Sequence, residues 1–125
     1  MKDCPPAVQK TMQEQSKGAT IRGISKEMEK GKTVYELELM VNGHSKDMLI
    51  DTAGNVIEVE EQMAINQLPA PVRTEIEKQA GKGKITKLES LSKGGSVVAY
   101  EAVIKTGAKS REVKVDTGGK LIPGK

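Results

Sequence analysis

Tyr35-Glu36-Leu37-Glu38-Leu39, then Ser45-Lys46-Asp47, then Asp51-Thr52-Ala53-Gly54-Asn55-Val56-Ile57 is the stretch that decides the fold, because the chain writes it twice. The second copy, 65 positions on, reads Tyr100-Glu101-Ala102-Val103-Ile104, Ser110-Arg111-Glu112 and Asp116-Thr117-Gly118-Gly119-Lys120-Leu121-Ile122. Both tyrosines of the protein fall at matching positions. Upstream, Pro5-Pro6-Ala7-Val8 and Met12 match Pro69-Ala70-Pro71-Val72 and Ile76 at an offset of 64, so one residue is inserted near Gly31 and Gly94-Gly95. A duplicated unit must have one structure that suits both residue sets.

Within this stretch the alternation is clean. Tyr35, Leu37, Leu39 and Val41 share one face of a strand, with Glu36, Glu38 and Met40 on the other. The copy sends Val98, Tyr100, Ala102 and Ile104 inward, and Glu101, Val103 and Lys105 outward. Period two over this length is a half-buried strand. Asn42-Gly43 and Thr106-Gly107 turn the chain, Asn-Gly being a strong hairpin signal. The next strand points Met48 and Ile50 inward, matched by Val113 and Val115. In Asp51-Thr52-Ala53-Gly54-Asn55 and its copy, the Asp can accept backbone N–H bonds and the shared Gly can take positive φ. A short fourth strand follows, Val56 to Val59, with only Leu121-Ile122 left in the copy before Pro123 ends it.

Ahead of this block each copy opens with prolines, which the first turn of a helix tolerates. Val8, Met12 and Ser16, and then Val72, Ile76 and Ala80, stand at i, i+4, i+8 and set one apolar stripe on a helix of about three turns. Lys17-Gly18 and Gly81-Lys82-Gly83 stop these helices. Residues 20–29 and 84–93 are strands with apolar side chains at Ile21, Ile24, Met28 and at Ile85, Leu88, Leu91. Their irregular spacing predicts a bulge. Lys30-Gly31-Lys32 and Lys93-Gly94-Gly95 are the hairpin turns after them.

Each unit is therefore α-β-β-β-β. The chain is an α+β protein, 1–125, a single domain of two repeats at about 4–60 and 68–125 with a connector at 61–67. Its tandem α-β4 repeats form one antiparallel sheet of about eight strands, with the helices packed on one face. Half of a 125-residue chain is a marginal core by itself, which favours a shared sheet. The connector region keeps Met63, Ile65 and Leu68 for anchoring and is expected to pack.

These residues resemble the PepSY-like family, built as a tandem of PepSY units. The Tyr-Glu-x-[Glu/Val]-[Leu/Ile] strand, the Asp-Thr-x-Gly-x-[Val/Leu]-Ile hairpin and Leu68-Pro69-Ala70-Pro71-Val72 before the second helix carry the resemblance across nearly the whole chain. Such tandem domains are similar to the beta-lactamase-inhibitory-protein fold, an eight-stranded antiparallel sheet with helices on one face. The resemblance implies a small bacterial protein, periplasmic or secreted, with no enzymatic activity. PepSY units occur in propeptides of secreted metallopeptidases, which points to binding, and to inhibition or regulation, of a peptidase or another envelope protein.

Composition narrows the chemistry further. No apolar run approaches the ~20 residues of a membrane span. Residues 1–66 hold 8 Lys/Arg against 11 Asp/Glu, net −3, while residues 67–125 hold 12 against 6, net +6. Nucleic acid is not an expected partner, because the cations are interspersed with Glu and there is no Phe or Trp to stack on bases. Cys4 alone makes no internal disulfide; it copies Leu68, which reads as an apolar plug before the helix. Met1-Lys2-Asp3-Cys4 is too short for a signal peptide.

His44, the one histidine, sits at a hairpin turn where the copy has Lys109, so neither it nor the adjacent Ser45 is read as catalytic. One His and one Cys cannot build a structural zinc site, and Asp51 and Asp116 read as turn formers rather than calcium ligands. Gly81-Lys82-Gly83-Lys84 follows a helix, against the geometry of a phosphate cradle. No cofactor or metal is expected. What remains is the outward face of the sheet: Glu36, Glu38, Met40, Asp47, Leu49 and Glu58 in the first unit, and Glu101, Val103, Lys105, Glu112 and Lys114 in the second. Aliphatic points among charges suit a protein-binding surface, with charge selecting the partner. The alternative is a carrier or sensor of a small ligand, with a pocket between helices and sheet.

Overall fold

Prolines start both helices of the protein. In the structure, a computed structural model describing residues 3–122, α1 is Pro6–Gln15 and α2 is Ala70–Ala80. Each has a proline in its first turn. Ser16 closes α1, and Gly81, at φ 52°, closes α2. The strands are β1 (Thr20–Glu29), β2 (Lys32–Val41), β3 (His44–Asp51), β4 (Val56–Gln62), β5 (Lys84–Lys93), β6 (Ser96–Thr106), β7 (Lys109–Asp116) and β8 (Leu121–Ile122). They form one eight-stranded antiparallel sheet in chain order, β1 to β8, so the fold is α+β.

The chain divides into two compact units, Met1–Glu61 with Lys93–Gly95, and Gln62–Ser92 with Ser96–Lys125. In unit 1, Val8 and Met12 of α1 close over Tyr35, Leu37, Leu39, Met48 and Ile50, with Cys4 buried beside them. In unit 2, Val72 and Ile76 of α2 close over Tyr100, Ala102, Ile104, Val113 and Val115, with Leu68 in the place of Cys4. Cys4 is thus the apolar plug expected from its partner in the repeat. Full burial of such side chains contributes about 1.5–3 kcal/mol each.

The hairpin between β2 and β3 pairs Tyr35 with Ile50 and Leu37 with Met48, and the one between β6 and β7 pairs Tyr100 with Val115 and Ala102 with Val113. The β1–β2 pairing shifts register between Ile21 and Gly23, which is the expected bulge. Asn42 and Gly43 both take positive φ, 49° and 84°, as the tight hairpin turn demands.

The Asp-Thr-x-Gly turn does more than reverse the chain. Asp51 Oδ1 accepts the N–H groups of Ala53 and Asn55, and Asp116 Oδ1 those of Gly118 and Lys120. Gly54 and Gly119 then lie against the first turn of their unit's helix, where a Cβ would meet the carbonyl oxygens of Ala7 and Pro71 at 2.7 Å. Glycine is required twice over, for positive φ and for close approach. In unit 1, Thr11 Oγ1 also donates to the Gly54 carbonyl, tying helix to turn.

Several expectations are corrected. The fourth strand is longer than Val56–Val59, reaching Gln62. Its tail continues into a packed connector, with Met63 and Ile65 against the unit 2 core and a 3-10 turn at Ile65–Gln67. Val98 shares the face of Tyr100 but is not buried: it is 40% exposed, at the start of β6. Met28, placed with the apolar side chains of β1, is 67% exposed at the strand's far end. The expected end at Pro123 lies outside the described residues.

Candidate functional site

The outward face is built by register. In unit 1, Glu36 stands opposite Leu49 and Glu38 opposite Asp47, while Leu49 and Asp47 pair on their other side with Glu58 and Glu60. On β1, Ser25 is opposite Glu36 and Glu27 is opposite Val34. Unit 2 repeats the frame with other residues: Glu101 opposite Lys114, Val103 opposite Glu112, and Lys105 opposite Ser110.

Of the residues expected on this face, Glu38, Lys105 and Glu112 are exposed, and Glu36, Met40, Asp47, Glu101, Val103 and Lys114 are half-buried. Leu49 is the correction. It faces outward as expected but is only 8% exposed, because Glu36 and Glu58 flank it in register and long side chains on both neighbours cover it. Val34, which sequence reasoning left off this face, is also buried outside the helix-side core.

The two units differ electrostatically on one backbone plan. In unit 1 the carboxylates of Glu36, Glu38 and Asp47 approach within 4.8 Å of one another. Glu36 is held up to about 7 from an ordinary 4.5, first by burial, then by the charge of Glu27 and a hydrogen bond with it, and then by Glu38 and Asp47. Ser25 Oγ lies 3.5 Å from a carboxylate oxygen of each of Glu27 and Glu36. A proton shared between neighbouring acids is how such crowding is tolerated. In unit 2 Lys114, at the position of Leu49, pairs with Glu101 at 3.3 Å, and the Glu101 carboxylate also lies within 4.8 Å of that of the buried Glu89. Glu27 joins this group because the hairpin turn at Lys30-Gly31 sets it opposite Val34; sequence reasoning followed only the apolar side chains of β1 and left it out.

Elsewhere the chemistry is structural. His44 Nε2 lies 2.8 Å from Glu61 Oε2, joining the first residue of β3 to β4. Asp51 is held below its ordinary value by the backbone hydrogen bonds of its own turn, led by that of Asn55. Arg111 donates to the carbonyl of Gln79 at the C-terminal end of α2, where a cation suits the helix dipole. In unit 2 a groove of about 390 Å³ lies between the connector, α2 and β5, with Met63, Ile65, Ile85 and Leu88 as its apolar lining and Glu77 and Lys87 among its polar residues. No described helix is long and apolar enough to cross a membrane.

This architecture defines a BLIP-like α+β fold. No family model matches the chain, and no curated protein matches it. Solved structures do. A candidate periplasmic protein of Bacteroides eggerthii superposes with TM-score 0.78 at 12% identity, over 96% of this chain and 86% of that one. A BLIP-like protein of Bacteroides fragilis gives 0.71 at 22%, over 98% and 85%. A DUF2874 family protein of Bacteroides ovatus gives 0.75 at 13%, over 96% and 85%. At these identities the likeness is one of fold.

Proposed function

We propose that this chain is a non-enzymatic, extracytoplasmic protein-binding module of the tandem PepSY type, which holds a partner, a peptidase or another envelope protein, on the outward face of its sheet. One observation carries the reading: in unit 1, Glu36, Glu38 and Asp47 are crowded within 4.8 Å on a face that the fold does not need to be acidic. At the matching positions the copy breaks the run of acids, with Val103 opposite Glu112 and Lys114 paired with Glu101. Like charges set opposite one another cost stability. A partner bearing cations relieves that cost on binding, so the crowding favours association over the free state. Support for the compartment comes from the candidate periplasmic protein with the same fold, and support for protein binding from the BLIP-like one.

The test is affinity capture from an envelope extract of the native organism, read by mass spectrometry. Glu36→Lys with Glu38→Lys is expected to abolish capture of the specific partner while the thermal transition is kept. Unchanged capture removes the face assignment. A hydrolase screen on the purified protein, expected to be blank, addresses the absence of enzymatic activity.

A second reading, a carrier or sensor of a small ligand, rests on the unit 2 groove of about 390 Å³, a volume within the usual range of small-molecule sites. A thermal shift on adding envelope lipids or metabolites, lost in Ile85→Asp, would favour it.

A further inference from the structure

The two units treat matching strands differently at one edge. β5 is an interior strand of the sheet, next to β4, and the connector that follows β4 continues along it: the N–H of Met63 donates to the carbonyl of Leu88 at 3.0 Å, and Met63, Ile65 and Ile85 pack against the core. In unit 1 the strand that copies β5 is β1, where Ile24 stands for Leu88 and Ile21 for Ile85. There β1 is an end strand of the sheet, and no described segment lies along its free edge. Ile21 is 38% exposed and, unlike Ile85, is not packed against the core of its unit; Met28 is exposed as well. Arg22 and Lys26 flank Ile24 on the same strand, with Glu27 and Glu29 nearer the turn, Glu27 beside Glu36 of the outward face; neither cation has an ion pair among the described residues.

Long open edges with aliphatic side chains are ones that proteins usually cover or blunt, because their N–H and C=O groups invite another strand. We infer that the free edge of β1 is a second binding site, which takes an extended acidic–aliphatic segment of a partner protein by strand addition. The molecule shows the mode of contact in its other half. A main-chain N–H of the segment reaches the Ile24 carbonyl as Met63 reaches that of Leu88, and two aliphatic side chains two residues apart join Ile21 and Ile24 as Met63 and Ile65 join Ile85 and Leu88 at the edge of the unit 2 core. Main-chain bonds supply the affinity of such additions, and alternate side chains the selection. The acidic character follows from Arg22 and Lys26, cations left for a partner to answer. In the connector itself, Glu60-Glu61 immediately precede Gln62-Met63-Ala64-Ile65.

This site is separate from the outward face and stands whether or not that face binds a partner. The probe is a labelled, blocked peptide copying residues 60–67, Glu-Glu-Gln-Met-Ala-Ile-Asn-Gln, titrated into the full chain and followed by anisotropy and amide chemical shifts. Shifts are expected along residues 20–29. Affinity is expected to fall at least tenfold with Ile21→Glu plus Lys26→Glu, whose side chains are exposed, and to vanish for a peptide with Ser in place of its Met and Ile. Lys26→Glu alone, if the double variant melts early, is expected to weaken binding about threefold. Absence of shifts on β1 at saturating peptide overturns the site, as does displacement confined to residues 84–93. Concentration-dependent dimerisation lost in Lys26→Glu would make a second copy the occupant and overturn the partner assignment.

Discussion

Unit 1 and unit 2 solve the inside of the fold alike and the outside differently. Val8 and Met12 in one, and Val72 and Ile76 in the other, cover equivalent strand residues, and Gly54 and Gly119 seat the same turn against the same end of the helix. On the outward face the agreement stops. Glu38 stands opposite Asp47 where the copy has Val103 opposite Glu112, and Glu36 stands opposite Leu49 where Glu101 has the cation of Lys114. What both copies keep is what packing and turn geometry demand; what they change is free to carry specificity.

The largest test of this equivalence is at the core. Met12→Ala and Ile76→Ala each empty a fully buried position and should cost about 2–5 kcal/mol in urea unfolding. A loss at one site and none at the other would break the comparison. Next come Gly54→Ala and Gly119→Ala, each forcing a Cβ to within 2.7 Å of a backbone oxygen at positive φ, for about 2–3 kcal/mol apiece.

Smaller effects sharpen the contrast outside. Asp51→Ala and Asp116→Ala remove two backbone acceptor bonds each and should cost about 1–2 kcal/mol in both units. Charge reversal should split the copies in sign. Glu36→Lys relieves crowding and stabilises, whereas Lys114→Glu takes the cation from Glu101 and destabilises, each by up to about 1 kcal/mol.

Smallest is the response to pH. The folded protein holds a proton on Glu36 up to about pH 7, whereas the unfolded chain releases it near 4.5. The folded state therefore binds more protons between these values, and this group's contribution to stability falls as pH rises through that window. The melting temperature should fall by about 3 °C between pH 5.5 and 8, and Glu36→Gln should remove that part of the slope. Asp51 works in the opposite sense: its stabilising contribution is present above its ordinary value and is lost as pH falls through the lowered one.

Much of the architecture was legible because duplication acts as its own control. A residue kept in both copies, such as the Asp51/Asp116 turn former or the Gly54/Gly119 contact, had to answer to the fold, and hairpin turns such as Asn42-Gly43 set strand order locally. Val98 misled because alternation shows which face a side chain takes, not whether α2 reaches far enough to cover it. Leu49 misled for the mirror reason, since burial on an open face depends on neighbours across the strands. The outward face itself could be drawn by period two alone. What period two could not show is that the Glu27 carboxylate reaches Glu36, a distance set by side-chain placement across β1 and β2.

By itself, then, the sequence determined the repeat, the element order, the turns and the helix stripes, because these are set by contacts a few residues apart and by side-chain period. Only the tertiary structure decided which carboxylates crowd, that Leu49 is buried on the open face, and that β1 is left with an open edge where β5 has a neighbour on each side. Those are matters of distance between residues far apart in the chain, and electrostatics and edge pairing act through space.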